Sequence, residues 1–246
     1  MSYSRCVSIL IVADVHANLP AFDAAIAFAE NAGPVEAIWC LGDLVGYAAE
    51  PGACIERLRA YPHLMIAGNH DLAAAGVIGT EDFNPVAAEA AEWTARQLSA
   101  TEKTFLRSLP LVLVDGAFTL VHGSLVDPVW DYLISDSAAV SHFERQTTPY
   151  CLVGHSHLPL LFGNDGRGAL VPAGQGLALG AESFVANPGS IGQPRDGDPR
   201  AAFALLDLDA RAMTFHRVPY DVEAAQSRIR AAALPDSLAE RLSRGR

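Results

Sequence analysis

Apolar runs alternate with amphipathic stretches through the first half of the chain. Residues 7–13 form a strand-like run, and 20–30 carry apolar positions at helical spacing. The pair repeats at 37–41 and 51–60. A third strand-like run at 64–67 is followed, after a loop, by a helical stretch at 85–98. Asn84 then Pro85 suits a helix start, a capping side chain followed by proline at the first position. The second half reads differently. Residues 111–114 and 118–121 flank Asp115-Gly116, a two-residue hairpin signal. A short helix is expected at 135–146, and strands at 150–153, 159–162, 169–172, 184–186, 202–206 and 212–218. The tail, 221–244, reads as two short helices broken at Pro235. A βαβαβα half followed by a β-rich half predicts two packed sheets covered by helices. No repeat, low-complexity tract or linker interrupts the pattern, so one domain over 1–246 is expected.

Charge narrows the partners. The chain has 28 acidic and 17 basic residues, a formal net charge of −11, with Lys103 the only lysine. Such a surface repels phosphate backbones, and no basic cluster offsets it, so nucleic acid is not expected as a partner. No apolar run approaches the ~20 residues of a membrane span. The run at 6–13 is short, ends in Asp14 and His16, and lacks a small-residue cleavage site, so it reads as a buried strand and the cytoplasm is the expected location. Cys6, Cys40, Cys54 and Cys151 stand far apart with no C-x-x-C pair, which suits small buried side chains rather than a disulfide framework.

Five of the eight histidines fall in short polar motifs, each just after an apolar strand-like run. In order these are Asp14-Val15-His16, Gly42-Asp43, Gly68-Asn69-His70-Asp71, His122-Gly123 and Gly154-His155-Ser156-His157. Strand-end loops are where α/β proteins commonly place catalytic groups. In an extended chain, residues i and i+2 share a face, so Asp14 with His16, and His155 with His157, can converge on an ion. Adjacent Asn69 and His70 should diverge, one to metal and one to substrate. The glycines before Asp43, Asn69 and His155 keep side chains out of a crowded centre. The ligand set is oxygen and imidazole without thiolate, which excludes a typical structural zinc site and suits Mn²⁺, Fe²⁺ or Zn²⁺ at a catalytic one. Seven candidate ligands are too many for one ion and suit two sharing a carboxylate.

These five motifs, in this order, resemble the calcineurin-like metallophosphoesterase family, whose pattern runs D-x-H, G-D, G-N-H-D/E, H and G-H-x-H. Either Gly-Asn-His-Asp or Gly-His-Ser-His alone arises by chance with a probability on the order of 10⁻³. Asn187-Pro188-Gly189-Ser190, which by itself reads as a tight turn, adds a resemblance to the small bacterial phosphodiesterase branch. The resemblance implies a four-layer αββα sandwich (α/β, of α+β type) with two mixed sheets flanked by helices. It also implies one divalent ion on Asp14, His16, Asp43 and His157. A second would sit on Asp43, Asn69, His122 and His155, with Asp43 bridging. It further implies hydrolysis of a phosphoester by a hydroxide that the two metals activate, with His70 as the catalytic histidine and Asp71 orienting it or a ligand.

Two departures narrow the resemblance. The Ser/Thr protein phosphatases continue G-D with V-D-R-G, whereas Leu44-Val45-Gly46-Tyr47 follows Asp43 and brings no arginine. Purple acid phosphatases need a tyrosinate three residues after that aspartate, where this chain has Gly46. The expected substrate is a small phosphodiester or phosphomonoester, diesters slightly preferred, because no insertion is long enough for a cap domain. A non-catalytic protein-binding scaffold and, more weakly, a nuclease are the alternatives. His63 and His216 read as core residues, and His142 as exposed on its helix. Arg195 reads first as a solvated surface arginine, with reach to a phosphate from its loop as the alternative. Tyr47 reads equally as pocket-lining or packed. Trp130 and Tyr132 read equally as a flap over the metals or as packing at a sheet edge.

Overall fold

A computed structural model describes residues 8–246; Cys6 and the start of the first apolar run lie outside the described residues. Strand β1 (Ser8–Val12) has both faces buried, and its residues alternate between two environments. Ile9 and Ile11 enter a core between the sheets, while Leu10 and Val12 pack under helices. Helix α1 (Leu19–Ala32) begins where the Asn18 side chain accepts from Ala21 N at 3.3 Å and Pro20 occupies the first turn. It buries Phe22, Ala25, Ile26 and Ala29, one stripe at helical spacing. The alternation continues through β2 (Val35–Cys40), α2 (Pro51–Arg59) and β3 (His63–Met65).

Three helices come next: α3 (Asn69–Ala74), α4 (Pro85–Gln97) and α5 (Ala100–Arg107). The chain then runs through β4 (Val112–Asp115), β5 (Phe118–Val121), α6 (Asp136–Phe143), β6 (Tyr150–Leu152), β7 (Pro159–Gly163), β8 (Gly168–Leu170) and β9 (Gly176–Ala178). Last come β10 (Phe184–Pro188), β11 (Ala201–Asp207), β12 (Ala212–Val218), α7 (Val222–Ala231) and α8 (Asp236–Leu242).

Periodicity misses three of these elements. Helix α3 has six residues and starts inside the Gly68–Asp71 motif, too short for a hydrophobic stripe. Helix α5 follows α4 after Leu98 and Ser99, so the two merge in a hydropathy reading. Its own start signal is Ser99, which accepts from Glu102 N while Glu102 accepts from Ser99 N at 2.7 Å. Strand β9 is three residues at a sheet edge.

Two mixed six-stranded sheets result, in the orders β3-β2-β1-β11-β12-β9 and β4-β5-β6-β10-β7-β8. Strands β1, β2 and β3 are parallel, as are β5, β6 and β10. Ile11, Trp39, Leu41 and Phe215 of the first sheet meet Phe118, Leu120, Tyr150 and Phe184 of the second across the central core. Helices α1 and α2 cover the outer face of the first sheet, and α6 packs on that of the second, giving the αββα sandwich. Two parallel runs per sandwich place two sets of strand C-terminal ends along one rim. That rim carries the chemistry.

Phe203, fully buried on β11 with its ring 5.4 Å from that of Phe28, joins the first sheet to α1. Phe203→Ala should cost about 3–5 kcal/mol, read as a lower urea midpoint at unchanged slope.

Candidate metal centre

Each chemical motif lies immediately beyond a strand. Asp14 and His16 follow β1, Asp43 follows β2, Asn69 and His70 open α3 after β3, His122 follows β5, and His155 and His157 join β6 to β7. The backbone there is not extended. Asp14, His16, Ala17, Asp43, Tyr47, His155 and His157 all have φ between 50° and 64°, the left-handed region that costs a non-glycine residue about 1–3 kcal/mol. The expectation that i and i+2 converge because the chain is extended is therefore replaced. Tight left-handed loops aim these side chains, and the pairs converge all the same.

The strain is held by close packing and buried hydrogen bonds. Gly42, at φ 89°, lies where a Cβ would be 2.7 Å from His122 Nδ1, and a Cβ on Gly68 would be 2.1 Å from Asp43 Oδ1. Asp71 does not bond the His70 ring. Its two oxygens accept from Val45 N (3.2 Å) and Gly68 N (3.0 Å), tying the loop after β2 to the start of α3. Asn187 donates to Gly154 O (2.6 Å) and Ser156 Oγ (3.0 Å), and Ser190 Oγ donates to Asp14 O (2.8 Å). The Asn187–Ser190 segment is thus more than a turn: it braces the loops of both sheets. Gln193 had no signal in the sequence, yet its carbonyl accepts from His157 Nδ1 at 2.5 Å.

Seven side chains named from the motifs converge. Asp43 Oδ1 accepts from His70 N (2.9 Å), leaving Oδ2 between His16 Nε2 at 3.7 Å and His122 Nε2 at 3.4 Å. Asp14 Oδ1 is 3.4 Å from His157 Nε2 and 4.0 Å from His16 Nε2. Asn69 Oδ1 is 3.2 Å from His122 Nε2, which is 3.1 Å from His155 Nδ1. The ligand atoms of Asp14, His16 and His157 lie within 4.8 Å of one another, as do those of Asp43, His122 and His155.

The tautomers decide what this arrangement can hold. His16, His122 and His157 each direct Nδ1 at a backbone carbonyl, of Val45, Leu41 and Gln193, which fixes the proton there and aims Nε2 inward. His16 Nε2 and His157 Nε2 face each other at 3.1 Å. Burial, opposed only in part at His16 by Asp43, holds both imidazoles well below their usual pKa. Two neutral nitrogens so placed present lone pair to lone pair, and a cation between them removes the repulsion. On the other side burial pushes His122 down, but Asp43 outweighs it and raises His122 to about 9. A proton on His122 there holds the place of a cation, and cation binding releases it. Burial raises Asp14 to about 7, and its Oδ2 is buried without a hydrogen-bond partner, as is His155 Nε2. The donor set and the unmatched atoms fit divalent-metal binding.

The comparisons agree with this geometry. The family model of the calcineurin-like phosphoesterase superfamily domain matches residues 7–211. The chain belongs to that superfamily. It is similar to an uncharacterized protein of Methanocaldococcus jannaschii, 33% identical over 97% of this chain and 98% of that one. A metallophosphoesterase from Sphaerobacter thermophilus is 41% identical, covers 98% of this chain and 99% of its own, and superposes with a TM-score of 0.89. A hypothetical protein from Pyrococcus horikoshii, 23% identical with a TM-score of 0.82 over 98% and 99% of the two chains, shares the fold.

In this superfamily member the cluster opens into a small cleft. Tyr47 is buried at its edge, 4.6 Å from the His16 ring and 4.3 Å from that of His70, so it both packs and lines. Trp130 and Tyr132 wall the cleft instead of packing a sheet edge. Tyr132 stacks on His155 at 4.0 Å, and Trp130 meets Phe83 at 5.1 Å. His142 is fully buried, not exposed, because its Nδ1 accepts from Leu125 N at 3.2 Å beneath the loop that carries these two aromatics. His63 and His216 are partly buried, His216 between Phe28 and Phe203. Arg195 is partly buried and lines the cleft, its Nη2 donating to Gln193 Oε1 at 3.1 Å. Cys40, Cys54 and Cys151 are buried free thiols. No described helix is long and apolar enough to cross a membrane.

Gly68→Ala should displace Asp43, since its Cβ has no room beside the carboxylate. Elemental analysis of the variant is expected to find less than half the wild-type metal content, with the circular-dichroism spectrum retained.

Proposed function

We propose that the protein hydrolyses small phosphoesters with two divalent transition-metal ions, one on Asp14, His16, Asp43 and His157 and the other on Asp43, Asn69, His122 and His155. The observation that carries this reading is the placement of Asp43 Oδ2 between His16 and His122, each of which faces a second imidazole at 3.1 Å. A shared carboxylate with a nitrogen pair on either side supports two adjacent cations rather than one. When bound, such ions supply Lewis acidity toward a phosphoryl oxygen and make water nucleophilic at neutral pH.

The remaining work falls to the chain's own groups. His70 lines the cleft with Nδ1 turned toward Gly46. Burial lowers its pKa to about 4, so at pH 7 it is a neutral imidazole. It therefore serves as a preorganised hydrogen-bond donor to a phosphoryl oxygen rather than as a proton donor. Asp71 acts through backbone, holding the first turn of α3 against the loop after β2 so that Asn69 turns inward and His70 toward the cleft. Tyr132, Trp130 and Phe83 give the cleft one aromatic wall.

Chelation should abolish turnover of aryl phosphodiesters and Mn²⁺ should restore it, with about two ions per chain by elemental analysis. A single ion in fully active protein would overturn the two-metal reading. Asp43→Asn should lower occupancy at both positions, whereas His16→Ala and His122→Ala should each empty mainly one. His70→Ala should keep its metal and lose ~10²–10³-fold in turnover, by a similar factor for good and poor leaving groups. Near-wild-type turnover of the metallated variant would remove His70 from the mechanism. A diester should match or exceed the corresponding monoester in steady-state comparison.

A further inference from the structure

Among the described residues, Arg195 is the only arginine or lysine lining the cleft. It hangs from the Asn187–Gln193 segment, and that segment is pinned to the metal-ligand loops at several points. Ile191 N donates to Ala13 O (3.0 Å), Gly192 N to Asp14 O (2.9 Å), and Ser190 Oγ to Asp14 O (2.8 Å). Gln193 also holds both ends of a short relay. Its carbonyl receives the Nδ1 proton of His157, and its side-chain Oε1 accepts from Arg195 Nη2 at 3.1 Å. The guanidinium is therefore positioned relative to His157 through one residue.

What Arg195 lacks is equally informative. A guanidinium has five N–H donors, and among the described residues only the bond to Gln193 uses one. Its Nε is buried without a partner, and the guanidinium forms no ion pair among the described residues, although the chain carries 28 acidic residues. A partly buried cation with unspent donors is suited to an anion, and this one lines the same cleft as Asp43, His70, His155 and His157.

We propose that Arg195 is the phosphate-binding residue of the cleft, donating its free N–H groups to non-bridging oxygens of the phosphoryl group that the metal ions hold. The assignment rests on the phosphoesterase reading above for the identity of the anion. It gives this chain, from a loop 152 residues further on, the arginine that is absent after Asp43. The fork geometry of a guanidinium matches two oxygens of one phosphoryl group, which a lysine cannot do.

The test is calorimetric titration of the metal-loaded protein with inorganic phosphate, with metal content measured in parallel. Arg195→Ala should bind phosphate ~10–100-fold more weakly at unchanged metal content, and Arg195→Lys should recover only part of the loss. Against an active ester, Arg195→Ala should raise KM as well as lower kcat. Unchanged phosphate affinity in the metallated alanine variant overturns the proposal. So does a loss that tracks loss of metal, because Arg195 would then act on the cluster and not on the anion. Should the alanine variant fail to fold, the lysine variant carries the test, and wild-type phosphate affinity there overturns the two-oxygen contact. Phosphate binding is read without turnover, so a protein that hydrolyses no ester would defeat the functional reading and leave this one standing.

Discussion

Asp43 has its two oxygens committed in different directions. Oδ1 accepts the N–H of His70 at the start of α3, and Oδ2 stands between imidazoles that belong to different sheets, His16 beyond β1 and His122 beyond β5. The carboxylate is buried and stays ionised well below the usual range, because the neighbouring His122 and His70 outweigh the burial that pushes it up. A buried negative charge is costly unless it is surrounded by donors or cations. The rim of the sandwich is arranged around meeting that cost. Two loops of the first sheet, after β1 and β2, and one of the second, after β6, bend into left-handed backbone to do so, at about 1–3 kcal/mol for each strained residue. Local propensity opposes every one of these bends. Packing and buried hydrogen bonds maintain them, and a cation shared across the centre would offset much of the strain.

The same constraint explains the polar residues just outside the cluster. Asp71, Asn187, Ser190 and Gln193 are buried, and each bonds backbone of a ligand-bearing loop or places a neighbour on one. They bring little apolar burial. Their contribution is to hold loops at φ values those loops would otherwise leave, which is how a rigid sandwich presents a site at its edge.

The fold was legible where burial is one-sided or continuous. The run at residues 7–13 reads as a strand because both faces of β1 are buried, and α1 announces itself by Asn18, Pro20 and a stripe of apolar positions. Legibility failed where an element is shorter than the period needed to see it, as at α3 and β9, or where two helices share one apolar stretch, as at α4 and α5. In the site, the motif residues were legible because their chemistry is rare at that spacing. Their backbone was not, since left-handed Asp and His leave no signature in hydropathy. The misjudged residues, Arg195 and His142, have a common cause. Each is a polar side chain whose environment is set by an aperiodic loop, the one after β5 over His142 and the one after β10 that carries Arg195.

Charge ties these levels together. A chain with a net charge of −11 repels small phosphates at long range, so the attraction has to be local. Divalent cations bound at the buried cluster would supply it, where the surrounding core keeps the local field strong. Arg195 extends that field into the cleft without adding a basic surface, and the single lysine of the chain, Lys103, lies on α5, outside the cleft lining. The acidic exterior and the cationic interior therefore act together. For the proposed phosphoesterase, a long polyanion would meet the repulsion of an acidic chain along most of its length, whereas a small phosphoester would meet it only in passing before reaching the cations. Selectivity for small substrates would then follow from where the charge is placed, without a cap domain to enforce it.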